Sequence, residues 1–339
     1  MVRFRAFHKS CPRALFPPDT RLTAASTVGC PGLVLVMAAA GLWATVGVAT
    51  RMVPEADVIP DEVFALARLA IGAPVVLLAA QFSRGTEQAR PSPLSWVDIG
   101  CFALTSAIFQ LCLFSCFTLL GVTVTVFITV CLPPVIALVC SIARRSSELT
   151  APVIVSLGLA LAGLAAFALS SGGLETTGTS VPGLILAVVA SAVFVAMSHA
   201  ARRMARATSA LNAAGRGLLS SALILALAVP LFLQSDIAEV AMAVCDWHVI
   251  LLLAYLGAGP TALAYIFYCT GMAQCRSAVS GLIASMVEPA LAAILASLVL
   301  HESLNQGEIT GSAMLLIAMT LLWWSERREV RVRVEPLRA

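Results

Sequence analysis

Two stretches of the chain decide its fold: LVLVMAAAGLWATVGVATRM (33–52) and LILAVVASAVFVAMSHAARR (184–203). Each contains about 20 consecutive, mostly apolar residues, which is the length of an α-helix that crosses a bilayer. When the two stretches are aligned, Trp43 falls opposite Phe194. The two halves of the chain therefore begin with membrane-spanning segments of the same kind.

Further segments align in the same order and at nearly the same offset. In the second segment of each half Arg68 falls opposite Arg216, and in the fourth segment Pro134 falls opposite Pro289. One such match would be weak in sequences this rich in alanine, leucine and valine. Several matches in order predict an internal repeat that covers most of the chain.

The composition is that of a membrane protein. Of the 339 residues, 60% are hydrophobic and 12% are charged, against roughly 45–50% and 25% in soluble globular chains. So few charges could not cover the surface of a soluble fold of this size. Ten predicted spans follow from the apolar runs. They are 32–52, 61–81, 96–118, 123–143, 151–170, 182–201, 211–233, 248–271, 277–299 and 306–324.

The basic residues indicate how these spans are oriented. With the N-terminus in the cytoplasm, the inside segments hold 18 of the 21 lysine and arginine residues, including a basic N-terminal tail (1–31) and a basic C-terminal tail (325–339). We therefore expect a multi-pass protein of the cytoplasmic membrane with both termini cytoplasmic. No nucleic-acid partner is expected, because the basic residues lie in short clusters between apolar runs.

Each half of the chain, 32–170 and 182–324, contains five predicted spans. Because five is odd, the second half enters the membrane from the opposite side. The predicted fold is therefore all-α integral membrane, with ten transmembrane helices as two inverted five-helix repeats. Two inverted copies of one shape can adopt unequal conformations, and exchanging these conformations opens the centre of the protein to either side in turn.

The stretch SAVSGLIASMVEPALAAILASLVLHESLNQGEITGSAMLLIAM (277–319) is a small-residue helix that enters a Glu-Pro and continues as an apolar run. A Glu-x-Leu (Glu302, Leu304) follows directly after that run, and Gly311 then opens the final helix. This stretch resembles the last two spans of the EamA-like transporter family of the drug/metabolite transporter superfamily. GLWATVGVATRMV (41–53) and ALARLAIGA (65–73) resemble the first two spans of that family. The resemblance implies ten helices and the movement of small metabolites or drugs, often outward.

Three charged residues stand out within the predicted spans, because a charge costs at least ~2.5–3.5 kcal/mol at the bilayer centre. Glu288, beside a proline in the ninth span, is a candidate for binding a proton or a cation, or for holding two helices together. Arg68 is a candidate for gripping a substrate carboxylate, for pairing with an acidic residue or a helix C-terminus, or for snorkelling. Arg216 either lines the pathway or snorkels to the cytoplasmic interface.

Aromatic and proline residues complete the set of candidates. Trp43, Phe194 and Tyr265 are predicted to line the apolar part of a substrate pathway, and packing inside the bundle is their alternative role. Proline removes a backbone donor and loosens a helix, so prolines inside the spans predict hinges or kinks. These hinge candidates are Pro134, Pro260 and Pro289.

These features predict a secondary active transporter that moves a small metabolite, such as an amino acid, or a drug by alternating access, with export as the expected direction. Proton-coupled multidrug or quaternary-cation efflux is one alternative, and a lipid or isoprenoid enzyme or a membrane scaffold is another. No GxxxxGK[ST], HExxH or CxxC motif occurs in the chain. We therefore expect no enzyme activity, cofactor or metal. The expected partners are the substrate, protons and the lipid bilayer. The sequence leaves open whether the chain forms a homodimer.

Overall fold

The structure is a computed structural model, and it describes residues 30–53, 59–82, 95–120, 122–143, 150–170, 181–232, 237–301 and 304–334. Those residues are helical apart from short turns and connections, and no strand occurs among them. The predicted basic N-terminal tail lies outside the described residues apart from its last two positions. The last five residues of the chain lie outside them as well.

Five helices make up the first half of the described chain. They are α1 Cys30–Arg51, α2 Asp61–Phe82, α3 Trp96–Leu120, α4 Val122–Ala143 and α5 Ala151–Ser170. Prolines lie inside two of them, Pro74 in α2 and the pair Pro133 and Pro134 in α4, and neither helix is interrupted there.

The second half has the same order of spans but a less regular backbone. Its helices are α6 Val181–Ala207, α7 Ala210–Phe232, α8 Ile237–Val244, α9 Trp247–Leu256, α10 Ala264–Gln274, α11 Ala278–Ser285, α12 Glu288–Val299 and α13 Gln306–Val334. A π-helical segment, Gly257–Leu263, joins α9 to α10 without a break. A short turn at Met286 and Val287 separates α11 from α12. The predicted eighth and ninth spans are therefore each made of more than one helical piece.

Within the described residues, nine helical segments are long and apolar enough to cross a membrane. A shorter apolar helix, Ala151–Ala166, occupies the place of the predicted fifth span. The helices α6 and α13 continue past the predicted ends of their spans, to Ala207 and Val334. Backbone hydrogen bonding does not require apolar side chains, so a helix can extend beyond the hydrocarbon region that hydropathy detects. The short helix α8 was not predicted, because eight residues give no spanning signal.

The packing of the helices follows the repeat. Two of the closest helix pairs join a span to its own repeat mate: α2 packs on α7, and α5 packs on α13. The other main pairs are exchanged by the repeat, because α3 packs on α6 as α10 packs on α1, and α4 packs on α6 as α11 and α12 pack on α1. This exchange of partners is what two inverted repeats predict.

Small residues allow some of these helices to approach closely. The helices α1 and α10 cross at Gly32 and Gly271, where a methyl group on Gly32 would lie 2.9 Å from the carbonyl oxygen of Gly271. The helix α2 packs on the π-helical segment, with Gly72 of α2 against Gly257 of the segment. These contacts bring the N-terminal end of α1 and the middle of α2, which belong to the first repeat, against the eighth span of the second repeat.

Candidate functional site

Arg68 connects the two repeats through a side-chain hydrogen bond. It lies on α2 and is half-buried, and its Nε donates to Oγ1 of Thr261 at 3.2 Å. Thr261 belongs to the π-helical segment of the eighth span and is only 1% exposed. Among the described residues, no acceptor bonds the Nη nitrogens of Arg68. Its guanidinium group therefore keeps donors available for a ligand.

The π-helical segment places Thr261 against α2. Pro260 lies inside this segment and has no N–H to donate, so one hydrogen bond of a regular α-helical backbone is missing there. π-helical turns of this kind occur frequently at functional sites. Gly72 lies one turn along α2 from Arg68, and a methyl group on Gly72 would come within 2.8 Å of Cγ2 of Thr261.

Glu288 lies in the first turn of α12, directly before Pro289 and directly after the turn that ends α11. The N-terminal end of a helix carries a partial positive charge, so this position favours a carboxylate. Glu288 is half-buried and interacts electrostatically with Arg68. The described residues donate no hydrogen bond to its carboxylate. The two opposite charges therefore interact electrostatically without a direct hydrogen bond between them.

A cluster of aromatic side chains lies beside the charged pair. Tyr265 of α10 interacts electrostatically with Arg68, and its ring packs edge-on against Trp43 with 5.8 Å between the ring centroids. The ring of Tyr268 lies 5.3 Å from that of Trp43 and 6.2 Å from that of Phe194. Trp43 and Phe194, which the repeat aligns, therefore both contact Tyr268.

Two further rings, both from α3, extend the cluster on either side. Phe102 packs against Tyr265 at 6.2 Å between centroids, and Phe109 packs against Phe194 at 5.1 Å. Edge-on and tilted ring pairs at these distances are favourable. The cluster therefore draws on α1, α3, α6 and α10, and so on both repeats.

Buried hydroxyl groups lie among these rings. The Tyr268 hydroxyl and Ser198 Oγ are 2.6 Å apart, and Ser198 also donates to the carbonyl oxygen of Phe194. Ser106 of α3 is fully buried, and its side chain interacts with the hydroxyl of Tyr265. The aromatic cluster therefore also contains polar groups.

The predicted site residues fall into two groups. Arg68, Glu288, Trp43, Phe194 and Tyr265 come together at the centre of the bundle, as described above. By contrast, Arg216 is exposed on the surface of α7. This placement corresponds to the snorkelling alternative rather than to a position in the central cluster.

The three hinge candidates also differ from one another. Pro260 lies in the π-helical segment, and Pro289 follows the turn between α11 and α12. Pro134 is buried inside α4, which continues through it. The backbone irregularities are therefore confined to the second repeat among the helices described.

Thr261 and Ser198 are polar residues of the centre that the sequence did not single out. Serine and threonine are common inside membrane helices, where most bond to a carbonyl of their own helix, so neither residue carries a distinctive signal. The Gly-Pro pair immediately before Thr261 was a usable sign, because it marks irregular backbone. Among the described residues, no group of three or more histidine, cysteine or carboxylate side chains could hold a metal ion.

The fold and this centre define a class of protein: a multi-pass membrane protein built of two repeats that meet at a polar and aromatic site. The chain belongs to the EamA-like transporter family, whose model matches residues 31–169 and 181–324. This family lies in the drug/metabolite transporter superfamily. The two matched regions correspond to the two predicted repeats.

One protein of known crystal structure has a similar fold. It aligns with 88% of this chain and with 99% of its own, at a TM-score of 0.73 and 20% sequence identity. An identity this low indicates likeness of fold alone. No curated protein matches the sequence.

Proposed function

We propose that the protein is a secondary active transporter that carries a small metabolite with a carboxylate group, such as an amino acid, across the cytoplasmic membrane. The substrate binds at the centre of the bundle, between the repeats. Both chain termini lie in the cytoplasm, and the direction of transport is outward. The observation that supports this proposal best is the meeting of Arg68, Glu288 and the aromatic cluster at the interface of the two repeats.

The chemistry of these groups suits a zwitterion. The Nη groups of Arg68 can donate hydrogen bonds to both oxygens of a carboxylate in a planar, bidentate contact. The Glu288 carboxylate supplies the opposite charge for an ammonium group. The rings of Trp43, Tyr265 and Phe194 supply an apolar wall for a side chain, as is usual in small-molecule sites.

The backbone around the site suits alternating access. Inverted repeats place the substrate near the bilayer midplane, and broken or irregular helices commonly line such sites. Here the π-helical segment and the turn before Glu288 lie next to the charged pair. We infer that the second repeat bends at these two places while the first repeat remains regular.

Transport assays in inside-out membrane vesicles test the proposal. Vesicles with the wild-type chain are incubated with labelled amino acids in the medium, with and without an imposed pH gradient. Accumulation of one amino acid above that of vesicles without the protein supports the proposal. The absence of flux for every amino acid, with correctly inserted protein, would contradict it.

Glu288→Gln is the variant that tests the role of the carboxylate, and Glu308→Gln is its matched control. Glu308 lies in the first turn of α13, and its carboxylate accepts a hydrogen bond from the backbone N–H of Asn305. We expect Glu288→Gln to abolish amino acid accumulation and Glu308→Gln to preserve it. Equal activities of the two variants would show that the Glu288 carboxylate is not needed for transport.

Efflux of quaternary cations is a second candidate function. The observation that favours it is the Glu288 carboxylate, which receives no hydrogen bond from the described residues and interacts with Arg68, itself a neighbour of Tyr265 in the aromatic cluster. Aromatic faces and a carboxylate together bind quaternary ammonium groups. Dye cations in the same vesicle assay distinguish the two functions, because gradient-dependent accumulation of dyes without amino acids would support cation efflux instead.

A further inference from the structure

Thr261 occupies an unusual position for a buried threonine of a membrane helix. Its hydroxyl accepts a hydrogen bond from a charged side chain of the other repeat, Arg68, and the two residues are 193 positions apart in the chain. By contrast, Thr270, one helix further along the same span, donates to the carbonyl of Ile266 within its own helix at 2.7 Å. The Thr261 hydroxyl therefore connects two repeats.

The irregular backbone determines where Thr261 points. A π-helical turn holds one residue more than an α-helical turn, so it shifts the angular positions of the residues that follow it. One residue corresponds to a rotation of about 100° around an α-helix. A regular α-helix through Gly257–Leu263 would therefore direct Thr261 to another face of the eighth span.

Close packing holds the π-helical segment against α2. A methyl group on Gly257 would lie 2.5 Å from Cγ2 of Ile71, and one on Gly72 would lie 3.0 Å from the carbonyl oxygen of Gly257. Gly72 and Arg68 are four residues apart, so they lie on the same face of α2. The segment is thus seated on the face of α2 that carries Arg68.

The hydrogen bond to Thr261 uses the Nε donor of Arg68, which a bidentate contact between the two Nη nitrogens and a carboxylate does not need. A guanidinium group has five N–H donors in a planar fork. With Nε bonded to Thr261, the two Nη nitrogens remain for a planar carboxylate. Without this bond, the nearest described opposite charge is Glu288, toward which the guanidinium can turn.

We propose that Thr261 is a positioning residue that keeps the guanidinium of Arg68 turned away from Glu288 and open to a substrate carboxylate. This inference rests on the proposed function only for the identity of the ligand. Thr261 therefore sets the preference for a carboxylate over a neutral amide, without itself contacting the substrate.

Three variants separate the hydroxyl from its surroundings. Thr261→Val keeps the branched shape and removes the hydroxyl, and Thr261→Ser keeps the hydroxyl. Thr270→Val is the matched control, because it removes a threonine hydroxyl from the same span that has no contact with Arg68. Size-exclusion chromatography of each purified variant in detergent establishes that it is folded.

The first measurement needs no substrate. Phenylglyoxal reacts with accessible guanidinium groups, and mass spectrometry gives the rate at which the Arg68 peptide is modified. We expect slower modification of Arg68 in Thr261→Val than in the wild type, with Thr261→Ser and Thr270→Val similar to the wild type. Equal rates in all four proteins, or no modification of Arg68 in the wild type, would overturn the inference.

The second measurement uses L-leucine and L-leucinamide as transport probes in membrane vesicles. We expect Thr261→Val to raise the KM for L-leucine about 10-fold, the size of one hydrogen bond to a charged group. Its kcat and its KM for L-leucinamide should change little, and Thr261→Ser should recover the selectivity for L-leucine. A parallel loss for both probes would overturn the inference.

The two measurements fail in different ways. A changed rate of Arg68 modification with no flux of L-leucine in any protein would support the role of Thr261 and contradict amino acid transport. Wild-type flux of L-leucine with an unchanged modification rate in Thr261→Val would support transport and contradict the role of Thr261.

Discussion

The eighth and ninth spans differ from their repeat mates, the third and fourth spans. The helices α3 and α4 run without interruption, although α4 contains Pro133 and Pro134. The eighth span contains a π-helical segment, and the ninth is divided before Glu288. The repeats thus share their order of helices and their packing partners but not their backbone regularity. The irregular backbone of the second repeat includes Thr261, which bonds Arg68 of the first repeat.

This comparison shows that a repeated sequence does not repeat a site. A proline loses one backbone hydrogen bond wherever it lies in a helix interior. The ninth span is divided directly before Glu288 and Pro289, whereas α4 continues through Pro134. The divided span is thus the one whose proline lies beside a charged residue that interacts with Arg68.

The largest expected effect comes from the arginine pair. Arg68→Gln is expected to lower amino acid flux in vesicles about 100-fold, in the range found when one member of a buried charge pair is removed. Arg216→Gln, at the aligned but exposed position, is expected to stay within about 2-fold. Equal losses in the two variants would contradict the difference between the repeats.

The second effect concerns the first helix of each repeat. Gly183 of α6 is equivalent to Gly32 of α1, at the offset that pairs Trp43 with Phe194. A methyl group on Gly32 would meet backbone atoms 2.8–2.9 Å away, whereas one on Gly183 would mainly meet the Leu120 side chain, which can rotate.

We therefore expect Gly32→Ala to lower the free energy of unfolding by about 1–3 kcal/mol, the usual effect of overpacking. Gly183→Ala should have a smaller effect. Thermal unfolding of the purified proteins in detergent measures both. As a control, Gly158→Ala should not destabilise the protein, because nothing lies within 4 Å of a methyl group there. A greater loss in Gly183→Ala than in Gly32→Ala would show that the packing of the two helices is misjudged.

The third effect concerns the proline pair. Pro289→Ala restores an N–H at the start of α12 and favours a continuous ninth span, so we expect about a 10-fold lower transport rate, as for other hinge substitutions. Pro134→Ala lies in a helix that is already continuous and should change the rate less than about 2-fold. Vesicle flux at saturating amino acid measures the two rates. A stronger effect of Pro134→Ala than of Pro289→Ala would indicate that the hinge lies in the first repeat.

The smallest effect concerns two tyrosine hydroxyl groups. Tyr268 bonds Ser198 inside the bundle, and Tyr255 donates to Thr45 at an exposed position, at 2.6 and 2.7 Å respectively. Tyr268→Phe should lower the free energy of unfolding by about 1 kcal/mol, because it removes a partner of a buried hydroxyl. Tyr255→Phe should have less effect, because its hydroxyl is exposed and Thr45 keeps a hydrogen bond to the carbonyl oxygen of Leu42 in its own helix. A chemical denaturation series in detergent would reveal a reversed order.

Most of the fold could be predicted from the sequence, and part of the site could. The apolar runs locate the helices because the bilayer requires a minimum length of apolar helix. Arg68 and Glu288 could be selected because a charge inside a span needs a partner. Thr261 could not, because a hydroxyl residue costs little in a membrane helix and therefore stands out neither by charge nor by hydropathy.

The sequence by itself determined the spans, the repeat and the family, since each depends on local composition and on order along the chain. Only the tertiary structure decided that Arg68 lies at the centre while Arg216 is exposed, and that Thr261 accepts a hydrogen bond from Arg68. The physical reason is that hydropathy gives the length of a helix but not its rotation about its own axis. That rotation depends on close packing between helices, as at Gly72 and Gly257.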